Sequence, residues 1–582
     1  MKTFRPLFRL KKYFIRYKRD IFWGIILVIF SNVLYSILPK ILQYTIDQME
    51  NGIPIEKIVL FAALFVTVTV IHSGLRFFMR QKLIGMARKI EYQLRNDYFH
   101  HLQQMSLNFF TKHRTGDLMA LATNDIPSVS MTIGRGLMFL LSNIIVFIVV
   151  LTLMMRTNLA LTLISLIPFS LAFLVVLKSM KFFIRTFERI QSQFADLSSK
   201  AQENISGVRV IKAYVQEENE IESFRQLNRK YLHENLKLAL ARGVVWSSMD
   251  VLFGLSFVIL IWLGGLAVIR DQITLGEFVA FTVWLGMLSW PVISFGWIIN
   301  LVQRASASMT RINRVMDIEP EIQDTESCDQ SICHISGHIQ FINVAVAYED
   351  LMVLENISFE IAIGKTLAII GPTGSGKTSL IRLIPRLIDA KAGQILIDGH
   401  DIRSIPLQVL RRHIGFVPQE TFLFSETIAE NISFGENDAK FEEIGRVARL
   451  STIHEDLLTF PDQYQTLIGE RGVNLSGGQK QRAAISRALL RQPNILILDD
   501  ALSAVDTYTE EKILNSLRVQ NPNQTKIIIS HRISSVKHAD LILFLKNGAV
   551  VERGNHRTLM AEKGLYAELY QQQRLEQALD EL

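Results

Sequence analysis

Before about residue 310 the chain is dominated by long, nearly unbroken runs of apolar positions; beyond it, short apolar runs alternate with polar turns. The long runs are Ile21–Leu38, closed by Pro39; one that starts near Ile58 and passes Ile71; Val129–Met154; Leu159–Leu177; Val244–Ile269; and Leu275–Val302. Each approaches or exceeds the roughly 18 residues a helix needs to cross hydrocarbon. The second and sixth also carry polar residues. The first begins near Asp20 and is long enough to span, so it predicts a retained anchor and not a cleaved leader.

The connections alternate in character. Asp47, Glu50 and Glu56 follow the first run, and the turns around Arg156 and Arg270 are very short. The second run is followed by a long basic stretch with Arg76, Arg80, Lys82, Arg88, Lys89 and Arg95, and the fourth by another long polar one. Lys11, Lys12, Arg16, Lys18 and Arg19 precede the first run. Basic flanks stay inside, so six spans place both termini in the cytoplasm, with the N-terminal cations beside anionic lipid headgroups. Residues 78–104 and 180–240 keep a helical spacing of apolar positions and predict helices that leave the membrane. Polar breaks at Asn108–Leu118 and Gly207–Tyr214 end these arms tens of ångströms from the bilayer, where a cytoplasmic domain could dock.

Composition agrees with a membrane protein of more than one domain. Of 582 residues, 49% are hydrophobic and only 20% charged, and mean hydropathy is +0.24. The net charge of +7 raises the question of nucleic acid, but the cations flank apolar runs and no recognition motif accompanies them. Two cysteines, Cys328 and Cys333, exclude a disulfide framework. His334 and His338 lie nearby, but the spacing is too loose for a zinc site.

The strongest chemical signal is Gly371-Pro-Thr373-Gly374-Ser375-Gly376-Lys377-Thr378, followed by Ser379. It fits the phosphate-binding loop G-x-x-x-x-G-K-[ST], between the apolar strand Thr366–Ile370 and a helical run. Glycines let backbone N–H groups turn onto phosphates; Lys377 reaches the outer ones and the Thr378 hydroxyl suits Mg²⁺. A second apolar strand, Asn494–Leu498, ends in Asp499-Asp500. Asp499 suits a carboxylate that holds Mg²⁺, and Asp500 sits where a catalytic base would act. Between the two strands lies Leu475-Ser476-Gly477-Gly478-Gln479, whose serine and glycines open a helix and form an anion site.

With that last motif the chain resembles the ATP-binding cassette (ABC) exporters. The resemblance covers its whole length and implies two parts: an α-helical membrane domain of six spans, type IV (type I exporter-like), and an α/β P-loop NTPase domain. It divides the chain into a basic N-terminal segment (1–19), a membrane domain (20–315) with coupling loops near 105–125 and 205–219, a linker (316–337) and an ATP-binding cassette (338–582). It also implies roles: Tyr348 stacks on adenine, Gln419 senses Mg²⁺, Glu470 belongs to an exporter loop, Asp506 to the D-loop, and His531 is the switch histidine. The signature of one subunit closes on ATP held by the other, so a second half-transporter is implied.

One departure stands out. Efficient members of the family usually carry Glu where this chain has Asp500. The shorter side chain withdraws a base that must sit within about 2.6–3.2 Å of its proton. A slow site here, with an intact signature to complete a partner's site, resembles the smaller subunit of a bacterial heterodimeric multidrug exporter, whose partner carries the catalytic Glu. A homodimer with a weaker base is the alternative. The expected cargo is hydrophobic or amphipathic, drug-like or lipid; a homodimeric lipid flippase and an ATP-gated channel or regulator are the rivals. Spans five and six are rich in aromatics, including Trp246, Trp262, Trp284 and Trp290, read mainly as packing and interfacial anchors. Asp250, inside the fifth run, predicts either a helix–helix hydrogen bond or a contact to cationic cargo.

Overall fold

The structure, a computed structural model, describes residues 2–326, 328–349, 351–436, 438–469 and 474–580. It forms two compact units: Met1–Leu102 with Arg114–Ile318, and Gln103–His113 with Glu319–Leu582.

Six helices of the first unit are long and apolar enough to cross a membrane. They are α1 (Lys18–Glu50), α2 (Ile55–Gln104), α3 (Thr115–Thr157), α4 (Leu159–Ser206), α5 (Glu217–Ile269) and α6 (Leu275–Met316). Hydrocarbon offers backbone groups no partner, so each apolar run becomes helix. The helices outlast the apolar runs because the polar arms keep the same periodicity. Pro39 does not end α1 as its position suggests; it is buried inside a helix that runs to Glu50. A proline costs a helix the bond to the carbonyl four residues back and little more when neighbouring helices pack around it. One such neighbour is Trp284 of α6, fully buried, whose indole N–H donates to the Ser36 carbonyl at 2.9 Å. Pro291 likewise lies within α6.

The basic N-terminus is not simply a lipid-facing flank. Residues Lys2–Leu10 and Lys11–Arg16 form two short helices whose Leu10 and Tyr13 are buried. Arg9 pairs with Asp317, while Lys12 Nζ and Tyr13 Oη each reach Asp97 at 2.7 Å. Phe8, Ile15, Phe22 and Trp23 remain exposed.

The second unit is built on two sheets. Strands β1 (Ile339–Tyr348), β2 (Leu351–Ile361), β4 (Ala392–Ile397) and β5 (His400–Asp401) form an antiparallel sheet in the order β2-β1-β4-β5. The other sheet is ordered β10-β9-β3-β8-β7-β6, from β3 (Thr366–Ile370), β6 (Ile414–Val417), β7 (Ile495–Asp499), β8 (Thr525–Ile529), β9 (Leu541–Lys546) and β10 (Ala549–Gly554). Its strands from β9 to β6 are parallel, and β3, β7 and β8 are almost wholly buried, which explains why they read as unbroken apolar runs. The segment Gln103–His113 clusters with this unit and not with the helices that flank it. Ser106 Oγ and Asn108 Nδ2 donate to Glu321 at 2.8 and 3.0 Å, and Lys112 pairs with Glu349. In the connecting segment, Cys328 and Cys333 are free, and His334 packs edge-on to His413. Among the described residues no group of three or more His, Cys, Asp or Glu could hold a metal ion.

The start of α6 is pinned to the end of α1. Thr274 caps the helix with Glu277, and the Gly276 N–H donates to Asp47 at 2.8 Å, a carboxylate on a helix N-terminus. A Cβ at Gly276 would stand 2.3 Å from the Gln43 carbonyl. Gly276→Ala must therefore push backbone apart and is expected to destabilise the helical unit by about 1–3 kcal/mol. A lower thermal unfolding midpoint of the purified protein checks this; an unchanged midpoint contradicts it.

Candidate functional site

The site begins at the C-terminal edge of β3. Gly371 has φ 147°, and a Cβ there would meet the Leu545 carbonyl at 2.1 Å. Gly376 has φ 96°, with Leu354 and the Val353 carbonyl against it. Only glycine allows this loop to turn so tightly against the neighbouring strands before helix α7 (Lys377–Arg382) starts. The Lys377 ammonium is buried and donates to the carbonyls of Gly371 and Pro372 at 2.8 and 2.9 Å. Burial lowers its pKa, while the charges of Asp500 and Asp499 oppose the shift. Beside it the Ser375 hydroxyl is buried without a hydrogen-bond partner, a cost that a phosphate oxygen would remove.

Asp499 ends β7 and is buried. Thr378 Oγ1 donates to its Oδ1 at 3.2 Å. Burial raises the Asp499 pKa, and the Thr378 hydrogen bond with the nearby Arg382 and Lys377 charges holds it down in part. Asp500 turns to φ 49°, a conformation Asp tolerates better than most residues, and its N–H donates to the Ile529 carbonyl at 3.0 Å. A cavity of about 280 Å³ brings these groups together. Thr373, Gly374, Gly376, Lys377, Thr378 and Ser379 form one wall. Gln419, Asp499, Asp500 and His531 form the other. The hydroxyl of Thr378, the carboxylate of Asp499 and the amide oxygen of Gln419 are hard oxygen donors, which fit a Mg²⁺ that keeps some water and takes the rest of its shell from phosphate.

Other expected site residues lie elsewhere. Tyr348, at the end of β1, does not line this cavity; its hydroxyl meets Ser379 Oγ at 3.2 Å, on the flank of the loop. Ser476 caps helix α8 (Gly477–Leu490) reciprocally with Gln479, at 3.2 and 3.0 Å. Ser476 and Gly477 are exposed, and none of the five signature residues lines the Lys377 cavity. Asp506 caps helix α9 (Thr507–Gln520) through the Thr509 N–H at 2.9 Å, and that bond holds its acid below the usual range. Glu470 lies outside the described residues.

Two residues were missed in the sequence. Gln481 donates to Ser503 Oγ at 3.0 Å and accepts from the Ala504 N–H at 3.0 Å, so it ties the signature helix to the loop after Asp500. Gln573 donates to the His531 carbonyl at 2.6 Å and accepts from the Ile533 N–H at 2.9 Å. Gln481, two places after the signature, could have been found from its position; nothing near Gln573 announces its partner. In the helical unit, Asp250 is exposed and makes no hydrogen bond or ion pair among the described residues, so the helix–helix bond anticipated for it is not made within this chain.

Comparison with known proteins follows the same division. Residues 21–292 match the ABC transporter transmembrane region and residues 354–503 the ABC transporter family. The "Probable multidrug resistance ABC transporter ATP-binding/permease protein YheI" of Bacillus subtilis is 38% identical over 97% of this chain and 96% of its own. The "Multidrug resistance-like ATP-binding protein MdlA" of Escherichia coli is 34% identical over 98% and 97%. A solved bacterial Atm1-family ABC exporter with ATP bound superposes with a TM-score of 0.79 at 27% identity, covering 96% of this chain and 98% of that one.

The Lys377 geometry sets a measurable expectation. An ammonium enclosed by loop carbonyls can exchange them for phosphate oxygens without moving far. Lys377→Ala is expected to weaken ATP binding by about 10- to 100-fold, the effect of about 1.5–3 kcal/mol for a hydrogen bond to a charged group. Titration with a fluorescent ATP analogue measures it, and near-native affinity would remove Lys377 from the phosphate site.

Proposed function

The chain belongs to the ABC transporter family, as a half-transporter that fuses a multi-pass membrane domain to an ATPase domain coupled to transport, and from that premise we propose that it exports hydrophobic or amphipathic compounds across the cell membrane as one half of a heterodimer. The observation that carries this reading is a single chain with six membrane-length helices and a phosphate loop whose lysine, hydroxyl and carboxylates converge on one cavity. Both termini are cytoplasmic, in keeping with the basic flanks.

Each group in the cavity then has a task. Backbone N–H groups of the loop and Lys377 hold the ATP phosphates, and Tyr348 stacks on the adenine. Thr378, Asp499 and Gln419 hold Mg²⁺, which when bound neutralises charge on the phosphates. Asp500 orients the attacking water and takes its proton, and His531 steadies the outer phosphate. Ser476, Gly477, Gly478, Gln479 and Asp506 serve a nucleotide held by the partner, which suits their exposure away from the chain's own cavity. ATP closes the two cassettes, the cavity turns outward, and hydrolysis resets it.

Asp500 carries the heterodimer argument. It reaches less far than Glu by one methylene, and a misplacement of order 1 Å costs a base about 10²-fold. The chain assayed alone is expected to turn over slowly, and Asp500→Glu to raise that rate by up to about 10²-fold. Brisk turnover of the chain alone, unchanged by Asp500→Glu, would point instead to a homodimer with a competent Asp.

The raised acid of Asp499 adds a pH expectation. A folded-state pKa above the usual value means the proton competes with the cation at a higher pH than at an exposed Asp. The Mg²⁺-dependent part of ATP affinity should therefore fade early on acidification, and Asp499→Asn should flatten the dependence. Binding curves with and without Mg²⁺ across pH check it; a Mg²⁺ effect that is the same in mild acid as at neutral pH contradicts it.

A further inference from the structure

Two adjoining cavities lie among the helices of the first unit. One is polar, about 280 Å³, and is walled in part by Ser31, Asn32, Tyr35, His72, Arg76 and Ser142. The other is apolar, about 630 Å³, with Phe147, Phe169, Phe173 and Phe295 on its walls and no ionisable residue. They share Asn143 and Pro291, so they meet where α6 passes its proline. Asn143 Nδ2 donates to Ser294 Oγ at 2.6 Å, fixing a polar group at the junction.

The polar cavity carries one fixed charge, that of Arg76. His72 Nδ1 lies 2.9 Å from the Ser31 carbonyl, which can only accept, so Nδ1 carries a proton. The ring stacks on Tyr35 with centroids 5.2 Å apart, and Nε2 of the neutral ring keeps the lone pair and can only accept. Arg76 stands one turn further along α2, and no carboxylate pairs with it among the described residues. A third cavity, of about 390 Å³ between α2, α3 and α6, holds Arg88, Arg135 and Arg304. Arg88 is paired with Glu91, but Arg135 and Arg304 have no carboxylate partner among the described residues. No Asp or Glu lines any of the three cavities, and Asp250 is absent from all of them. Arg76 stands at the inner end of the second apolar run and Arg135 within the third, where an unpaired charge is costly and faces a cavity or a partner, while Arg88 and Arg304 lie beyond the apolar runs; the fixed charges lining the cavities are all arginines.

We propose that the paired cavities bind an amphiphile with an anionic head, the head at Arg76 and the tail among the phenylalanines. Arg135 and Arg304 present the same sign along α3 and α6 and favour approach of the same class of molecule. The assignment rests on the exporter reading above and narrows its cargo.

Trp290 lines the polar cavity and supplies a binding signal independent of transport. The probes are dodecyl phosphate, dodecylphosphocholine and dodecyltrimethylammonium, titrated into the full assembly in phosphatidylcholine nanodiscs while tryptophan fluorescence is read, with Trp290→Phe isolating the local signal. Dodecyl phosphate is expected to half-saturate at about tenfold lower concentration than the ammonium probe. Arg76→Gln should erase that preference, Arg76→Lys should keep part of it, and Phe173→Ala should weaken all three probes alike. Unfolding midpoints show that each variant is folded, and Arg76→Lys keeps the test open should Arg76→Gln fail to fold. A preference for the ammonium probe, or a phosphate preference that survives Arg76→Gln, overturns the proposal. Nanodiscs doped with phosphatidylglycerol separate the two sources of such a head: competition identifies a membrane lipid, and its absence a free amphiphile, both consistent with an anionic site. Loss of ATP-driven vesicle transport with head-group selectivity intact would defeat the exporter reading and leave the binding site standing.

Discussion

Hydrocarbon gives a polypeptide no hydrogen-bond partner, and the membrane half of this protein follows from that constraint. Every apolar run has to close its own backbone bonds, which leaves helix as the outcome for all six. The same constraint makes each polar group in the bundle informative. Asn32 donates to the Val28 carbonyl and to Ser142, Trp284 to Ser36, and Asn143 to Ser294. Against that background of satisfied groups, a guanidinium with no carboxylate is conspicuous. Arg76 is exposed at the inner end of the second run and lines a cavity that adjoins an apolar chamber.

The cassette faces a different constraint. Its phosphate loop and its signature each open a helix, yet they do not share a cavity. Lys377, Thr378 and Asp499 converge, while Ser476 and Gly477 stay exposed beyond that cavity. Gln481 explains how the halves of the logic stay connected: it holds Ser503 and Ala504, which follow Asp500, against the signature helix. The loop after Asp500 is thereby one hydrogen-bonded step from the exposed start of the signature helix.

Much of this was legible in the sequence where function depends on local spacing. The phosphate loop reads directly because its glycines, lysine and threonine act within one turn of chain, and β3 and β7 read as strands because they are buried on both faces. Helix ends were less legible. Pro39 punctuates α1 in sequence but not in space, because packing by α6 outweighs one missing backbone bond. The break at Asn108–Leu118 marks in sequence where a cytoplasmic domain could dock, but not the partner: Glu321 meets Ser106 and Asn108 across more than two hundred residues. Contacts of that kind, like Gln573 with His531, leave no mark on either partner's neighbourhood.

The charge of the cavities is the sharpest case of packing overruling local pattern. Asp250 draws notice in sequence because it is a lone carboxylate in an apolar run, whereas Arg76 reads as one cation among many in a basic arm. Folding reverses their standing. Helix α1 brings Ser31 and Tyr35 to His72, α3 adds Ser142, and Arg76 becomes part of a wall, while Asp250 lines none of the three cavities. The sign of an interior is set by which side chains share it, and at a separation of 41 residues between Ser31 and His72 that can be read only from the packed helices. A cavity whose one fixed charge is a guanidinium disfavours a cation and favours an anion, so selectivity of this kind needs no dedicated gate.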